Sequence, residues 1–420
     1  MNKEMKNSGI EWIGEIPYSW QIKSVKNEFT RKQSQSSNLE NNILTLARSG
    51  VKVRDISTGE GQIASDYSNY NYVTPGDLLL NPMDLVSGDN CNISNFYGVI
   101  SPAYFNLGVK NHANPYFFNY YFKIQYWIGS FFAHGKGVSF ENRWTLNYET
   151  LRNFPILFPP LNEQQKIVKF LDDNLSYINS LTEQTYQSIN ELKKYKQLLI
   201  TEAVTKGFDS TVEMKDSGIE WIGMIPKHWT IKKVKYFLSE SSVKNYPNEM
   251  VLSLYRDYGV IPKDSRTDNH NVTSSDTSSY KLIEKNDVVI NKMKAWQGSL
   301  GVSSFKGIIS PAYYVYKIID SDIYSNFLHY ALRNNLYLDE YRRISSGIRI
   351  GQWDLEKKEF EKLLYPFPNS TSEQQQIVQY LDNKTSAIDN IIADKTKIIE
   401  ELENYKKSLI YEYVTGKKEV

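Results

Sequence analysis

The stretch "SGIEWIGEIPYSW", Ser8–Trp20, returns as "SGIEWIGMIPKHW", Ser217–Trp229, identical at ten of thirteen positions and 209 residues further on. The repeat extends outward in the same order. "LARSGV" at Leu46 is echoed by "LYRDYGV" at Leu254, with one residue inserted. "GDLLLN" at Gly76 matches "NDVVIN" at Asn286, "SPAY" recurs at Ser101 and Ser310, and "EQQKIV" at Glu163 returns as "EQQQIV" at Glu373. A single period of half the chain marks two homologous domains, whereas solenoids repeat every 20 to 50 residues.

Each half closes on a long helical pattern. In the first, Leu171, Leu175, Ile178, Ile189, Leu192 and Leu199 recur at steps of three, four or their sums. In the second, Leu381, Ile388, Ile392, Ile399, Leu402 and Leu409 do the same. This is a near-heptad stripe of coiled-coil type, interrupted by Thr182, Thr185, Lys196, Lys395 and Lys406. Asn162 with Gln165, and Ser372 with Gln375, have capping-box spacing at the starts, and Gly207 and Gly416 mark the ends. Before each helix, short strand-like runs alternate with turn residues, and a further helical segment is expected at Pro115–Ile128 and Ile323–Leu338. The fold class is therefore mixed α/β: two homologous globular domains joined by two long helices. If the second helix packs on the first it must run back toward the first domain, making the pair antiparallel and the repeats pseudo-two-fold.

Composition limits the function. The 420 residues exceed one ordinary core, and 40% hydrophobic with 23% charged residues is a folded composition. The net charge of +1 means that a nucleic-acid partner must be held by local basic patches. A lone cysteine, Cys91, allows no internal disulfide and fits a reducing compartment. The start, "MNKEMKNSGIEW", has no apolar signal core. The most apolar run, Pro115–Phe132, is broken by Asn119, Lys123 and Gln125, so no membrane span is expected and the protein reads as cytoplasmic. The aromatic density of that run reads as a buried helix face, with base stacking as the rarer use.

Catalytic motifs are missing. "NPMD" at Asn81 lacks the second proline and the aromatic that would hold a flipped base and reads as a turn. There is no phosphate-binding G-x-x-x-x-G-K-[ST]. The histidines His112, His134, His228, His270 and His329 are scattered and have no metal-ligand spacing with Cys91. A non-catalytic chain is expected, against the alternative of an independent enzyme; a coiled-coil adapter between protein partners is a further alternative.

The doubled order of "EWIGEIP" and its tryptophan, a variable domain, "FPPLNEQQKIVKFLDD" and a long helix resembles the specificity subunit of type I restriction–modification enzymes, over essentially the whole chain. The second copy departs slightly, with "FPNSTSEQQQIV" in place of "FPPLNEQQKIV". The resemblance implies a first target-recognition domain at 1–159, a spacer helix at 160–206, a second target-recognition domain at 207–369 and a second helix at 370–420. Each domain would read one half of a split sequence in double-stranded DNA. The helices would space the domains and dock modification subunits, two being expected, with a restriction subunit joining. S-adenosylmethionine and ATP would sit on those partners, and this chain would hold no cofactor or metal.

Base readout needs Arg or Lys toward guanine and Asn or Gln toward adenine. The candidate DNA-binding residues are basic positions in polar, turn-rich stretches: Arg48, Lys52, Arg54, Lys136 and Arg143 in the first domain, and Arg256, Lys263, Arg266, Lys292, Lys294 and Arg349 in the second. Arg48 and Arg256 occupy equivalent places, which favours phosphate contact for them. The matched Trp12, Trp20, Trp221 and Trp229 read as packing residues, since domains that read different bases should not read them with an identical phrase.

Overall fold

The computed structural model describes residues 4–34, 42–47, 50–55, 64, 66–85, 91–110, 113–137, 144–256, 258–266, 273–274, 276–349 and 352–420, with side chains at 348, 349 and 352 excepted. The chain divides into two compact units, one of Met1–Thr185 with Lys397–Val420 and the other of Tyr186–Thr396.

Each unit is built on a four-stranded antiparallel sheet with the same strand order. In the first, Phe29–Arg31 pairs with Phe105–Val109, then Leu78–Leu80, then Cys91–Ile93. In the second, Leu238–Ser241 pairs with Tyr313–Ile318, then Val288–Asn291, then Leu300–Val302. The third strand in each shows why the sequence runs apolar without alternation. Side chains alternate faces along a strand: Leu78 and Leu80 enter the main core, while Leu79 enters a smaller one with Leu44, Leu46, Val73 and Ile100. Val288, Ile290 and Val289 divide in the same way. Both faces of the sheet are covered, which is what a continuous apolar strand signals. One cover is helical and aromatic: Phe118 and Phe122 of the helix Pro115–Trp127 pack on Phe29. The other is the hairpin Leu44–Ala47/Gly50–Val53 or, in the second unit, Leu252–Tyr255/Gly259–Pro262.

The late helical segment of the second unit is broken, contrary to the expectation of one run to Leu338. Helices Ser325–Leu332 and Leu336–Arg343 flank Asn334. Asn334 is buried, its Oδ1 accepting from the Leu336 amide at 3.1 Å and from Thr201 Oγ1 at 2.8 Å. An Asn side chain that bonds the backbone two residues on competes with the helix.

The long helices span Leu161–Lys206 and Thr371–Val414. They start one residue before the expected caps, because the Pro160 carbonyl accepts from the Glu163 and Gln164 amides and the Ser370 carbonyl from the Gln374 amide. Asn162 and Ser372 thus lie inside the first turn. The "EQQ" repeat has a different task. Gln164 is fully buried; its Oε1 accepts from the Asn114 amide at 2.8 Å and its Nε2 donates to the Pro159 carbonyl at 2.8 Å. Gln374 accepts from the Tyr324 amide at 2.7 Å and donates to the carbonyls of Asp322 and Pro368 at 2.8 and 3.1 Å. One amide side chain therefore ties helix start, strand end and domain together in each unit. A second tie lies two turns on, where Tyr120 donates to Asp172 and Tyr330 to Asp382.

Within each unit the two helices run antiparallel. In the first, Phe170 meets Tyr413 and Lys406 donates to Asn179. In the second, Phe208 meets Tyr380 and Lys196 donates to Asp389. Leu171, Leu175, Ile178, Ile189, Leu199, Leu381, Ile388, Ile399 and Leu409 are buried as the stripe requires. Four of the five interruptions are satisfied: Thr182 and Thr185 donate back to the carbonyls of Ile178 and Leu181, and Lys196 and Lys406 reach the partners just named.

The tryptophan-rich phrase receives a helix tail. Trp20 and Trp229 are buried, edge-on to Phe117 and Phe327. Gly416, with φ +71°, abuts Pro17 and Trp20, and Gly207, with φ +75°, abuts Trp229. Both glycines sit in the left-handed conformation that ends a helix. Trp12 donates to Gln125 at 3.0 Å, and Trp221 stacks edge-on against Tyr337. The phrase recurs because each unit docks one helix end in the same way.

Candidate nucleic-acid interface

Corresponding turns sit at the end of the third sheet strand in each unit. Asn81 Oδ1 accepts from the Met83 amide at 2.9 Å, and Asn291 Oδ1 accepts from the Met293 amide at 3.1 Å. These are side-chain-closed turns of the kind Asn favours. "NPMD" is thus a turn. Beside each lies the "SPAY" loop, where the hydroxyls of Ser101 and Ser310 accept from the amides of Ala103 and Ala312 and present Tyr104 and Tyr313. A ribbon docks on the turn through the same bond in both units: the Leu146 amide donates to the Pro82 carbonyl, and the Leu355 amide to the Lys292 carbonyl, each at 2.9 Å.

In the first unit Lys136 lies on that ribbon, exposed and bridged through its backbone to Thr145. Arg54 follows the hairpin and lines a cleft of about 840 Å³ with Tyr70, Met83 and Tyr104. Burial raises the Tyr104 phenol, helped by Tyr70 and opposed by the Arg54 charge. Lys52 is exposed on the hairpin strand two residues earlier. Two residues apart on extended chain, Lys52 and Arg54 share a face, and Lys136 lies on the ribbon that docks on the Pro82 turn.

In the second unit Lys263 holds the place of Arg54: its amide bonds the Val251 carbonyl at 2.9 Å, as that of Arg54 bonds Ile43 at 2.7 Å. Its ammonium donates to Thr273, whose neighbour Ser274 bonds the Tyr280 hydroxyl. Arg266 lies over Tyr258, 4.4 Å from the ring centre, and 5.7 Å from that of Tyr255. Lys294 is exposed beside Met293. Lys292 is turned inward: it donates to the Pro311 carbonyl at 3.0 Å and lies over Tyr314. Lys281, absent from the candidates, donates to the Tyr313 carbonyl at 2.8 Å; burial, and then Lys292, lower its pKa. These two lysines support the "SPAY" loop from within. Arg256 stands apart. Its carbonyl accepts from Arg333, and it lines a groove with Lys196, His329 and Asn335. Arg349 pairs with Gln352 in the hairpin Ser345–Arg349/Gln352–Leu355, but its side chain, like Arg48 and Arg143, lies outside the described residues.

The site residues that charge alone did not reveal are tyrosines and methionines: Tyr70, Tyr104 and Met83, and their counterparts Tyr280, Tyr313 and Met293. The signal was present, since "SPAY" and the Asn-x-Met turns recur in register.

Among the described residues no three His, Cys, Asp or Glu side chains gather to hold a metal ion, and no helix is long and apolar enough to cross a membrane. The Cys91 thiol is pushed up to about 12 by burial, which removes the thiolate a nucleophile needs.

Known proteins share this architecture. The chain is 25% identical to the protein assigned as the type I restriction enzyme MjaX specificity subunit of Methanocaldococcus jannaschii, covering 96% of this chain and 95% of that one. A chain from a structural study of complex assembly and conformational transition of the type I R-M system superimposes with a TM-score of 0.68 at 14% identity, over 95% and 98% of the two chains. The crystal structure of the HsdS subunit from Thermoanaerobacter tengcongensis gives 0.51 at 15%, over 96% and 98%. Residues 85–191 and 226–404, more than half of the chain, match the family described as the type I restriction modification DNA specificity domain. With its doubled domains and its long helices, the chain belongs to that family, and it is a DNA sequence-specificity subunit.

Proposed function

We propose that the chain reads a bipartite target in double-stranded DNA, one globular domain to each half-site, and carries no catalytic step itself. The observation behind this is the doubled interface: the same turn, loop, ribbon and hairpin cation (Arg54 or Lys263) in each unit, with different basic residues around them, Lys52 and Lys136 in one and Lys294 and Arg266 in the other. A common scaffold with different edges suits two readers of different sequences, because backbone contacts position a protein while base-edge contacts specify. The long helices offer docking surface to modification subunits, two by the internal repeat, which would bring S-adenosylmethionine; a restriction subunit would bring ATP. Neither cofactor is assigned to this chain. With DNA as its target, the assembly would work in the cytoplasm.

The test is domain exchange. Residues 21–155 are replaced by the matching segment of a relative, and methylated sites are mapped in a host that also expresses the modification subunit. One half of the target should change and the other persist. A change in both halves refutes the division by domain. The chain alone, incubated with labelled S-adenosylmethionine and DNA, should transfer no label.

A further inference from the structure

One patch is built alike in both units although much of the surrounding surface differs. It comprises the turn methionine, Met83 or Met293, the loop tyrosine, Tyr104 or Tyr313, and the cation after the hairpin, Arg54 or Lys263. The methionines are 52% and 39% exposed, yet each sits on a turn closed by its own Asn side chain. A rigid turn that holds an apolar side chain in water has no folding advantage, because that side chain buries little area on its own domain. The tyrosines are partly buried and their phenols are raised by that burial, so they stay protonated as hydrogen-bond donors. Exposed Lys52 lies two residues before Arg54, exposed Lys136 pairs with Thr145 next to the Leu146–Pro82 bond at the turn, and exposed Lys294 follows Met293.

We infer that this shared patch is a sequence-independent DNA anchor, making the same contact in each half-site, and that base discrimination lies in the parts of each domain that differ. This rests on the proposal that each domain reads its own half. Domains that read unlike sequences cannot do so with identical side chains, so what they share must touch what the half-sites share: phosphate, sugar and groove wall. The chemistry fits. A cation and a phenolic O–H suit phosphate oxygens, and an unbranched methionine lies against any base or sugar without a hydrogen-bond code. The neighbouring lysines favour DNA over a protein subunit as the occupant.

The experiment uses the full chain in complex with its modification subunits. Equilibrium binding is measured to a duplex carrying the mapped target and to a scrambled duplex, for Met83→Ala/Met293→Ala and for Tyr104→Phe/Tyr313→Phe. The tyrosine pair is conservative enough to fold, and thermal melting checks both. Each double variant removes one contact per half-site and should lose about tenfold in affinity for both duplexes, roughly threefold per contact, with the ratio between them and complex assembly unchanged. A fall in the ratio overturns the inference by making the patch a base reader. Unchanged binding to both duplexes overturns it by removing DNA from the patch, and loss of complex assembly does so by assigning the patch to a partner subunit. Failure of the underlying reading appears separately, as an unsubstituted complex that binds its target no tighter than the scrambled duplex.

Discussion

Replacing Gln374 with alanine tests how a domain is fixed to its helix. The side chain is buried and makes three hydrogen bonds, accepting from the Tyr324 amide and donating to the carbonyls of Asp322 and Pro368. A typical bond contributes about 1 kcal/mol net, and more where a buried partner is left unsatisfied, so the substitution should cost about 3 kcal/mol. For a unit of some two hundred residues, Tyr186–Thr396, each kcal/mol shifts the midpoint by about 2–4 °C. The expected fall is about 6–12 °C in the transition of that unit, read by calorimetry. Gln164→Ala removes two such bonds, to Asn114 and Pro159, and should lower the other transition by about 4–8 °C. Gln374→Glu keeps an acceptor for Tyr324 but loses both donations, and should also destabilise. A midpoint for Gln374→Ala within about 1 °C of the parent refutes the reasoning, because water would then be replacing the side chain without cost.

Neutralising Lys52 and Arg54 together should weaken DNA binding and flatten its salt dependence, the slope falling by about 1 for each phosphate that no longer meets a cation; an unchanged slope places both away from DNA. His329 is half-buried at the wall of its groove, and desolvation, then Arg333, lower its pKa to about 4 from 6.5. The unfolded chain therefore takes up a proton that the folded unit refuses. Stability is whole above pH 6.5 and falls toward pH 4, by about 3 kcal/mol at 1.4 kcal/mol per unit. His329→Asn should flatten the melting profile between pH 7 and 4.5, and an equally steep profile assigns the acid loss elsewhere. Gly416→Ala should destabilise the first unit by more than Gly207→Ala destabilises the second. Both glycines have positive φ, costing about 1–2 kcal/mol, but a Cβ at Gly416 would stand 2.4 Å from Pro17 and one at Gly207 no nearer than 3.7 Å to Trp229; equal melting shifts would contradict this.

The architecture was largely legible because two of its signals are periodic. Leu171, Ile178, Leu381 and Ile388 follow the helical stripe, and the repeats fix which segments correspond. Helix starts were harder: Asn162 looks like a cap, but the Pro160 carbonyl begins the helix one residue earlier, which composition alone does not reveal. The Asn334 side chain that breaks the helix also accepts from Thr201, more than a hundred residues away, a partner no local pattern shows. At the interface, charge picked out Arg54 and Lys136 but could not tell the inward-facing Lys292 from the exposed Lys294, since direction depends on the carbonyls folded beneath them. The tyrosines and methionines carry no charge, and an apolar or aromatic residue in a repeat reads first as core.

The dependence of the first unit on Lys397–Val420 bears on how the protein is made. Leu171, Leu175 and Ile178 share a core with Leu409, Ile410 and Val414. During translation at about 5–20 residues per second, Thr185 leaves the ribosome roughly 10 to 50 seconds before Val420. For that interval the earlier domain carries an uncovered apolar stripe. The domain synthesised later needs only segments already emerged, Tyr186–Lys206 among them, so it can finish first. A premature stop codon near residue 396 would then spare the later domain and leave the earlier one open, reversing the usual rule that a truncation harms what lies nearest to it.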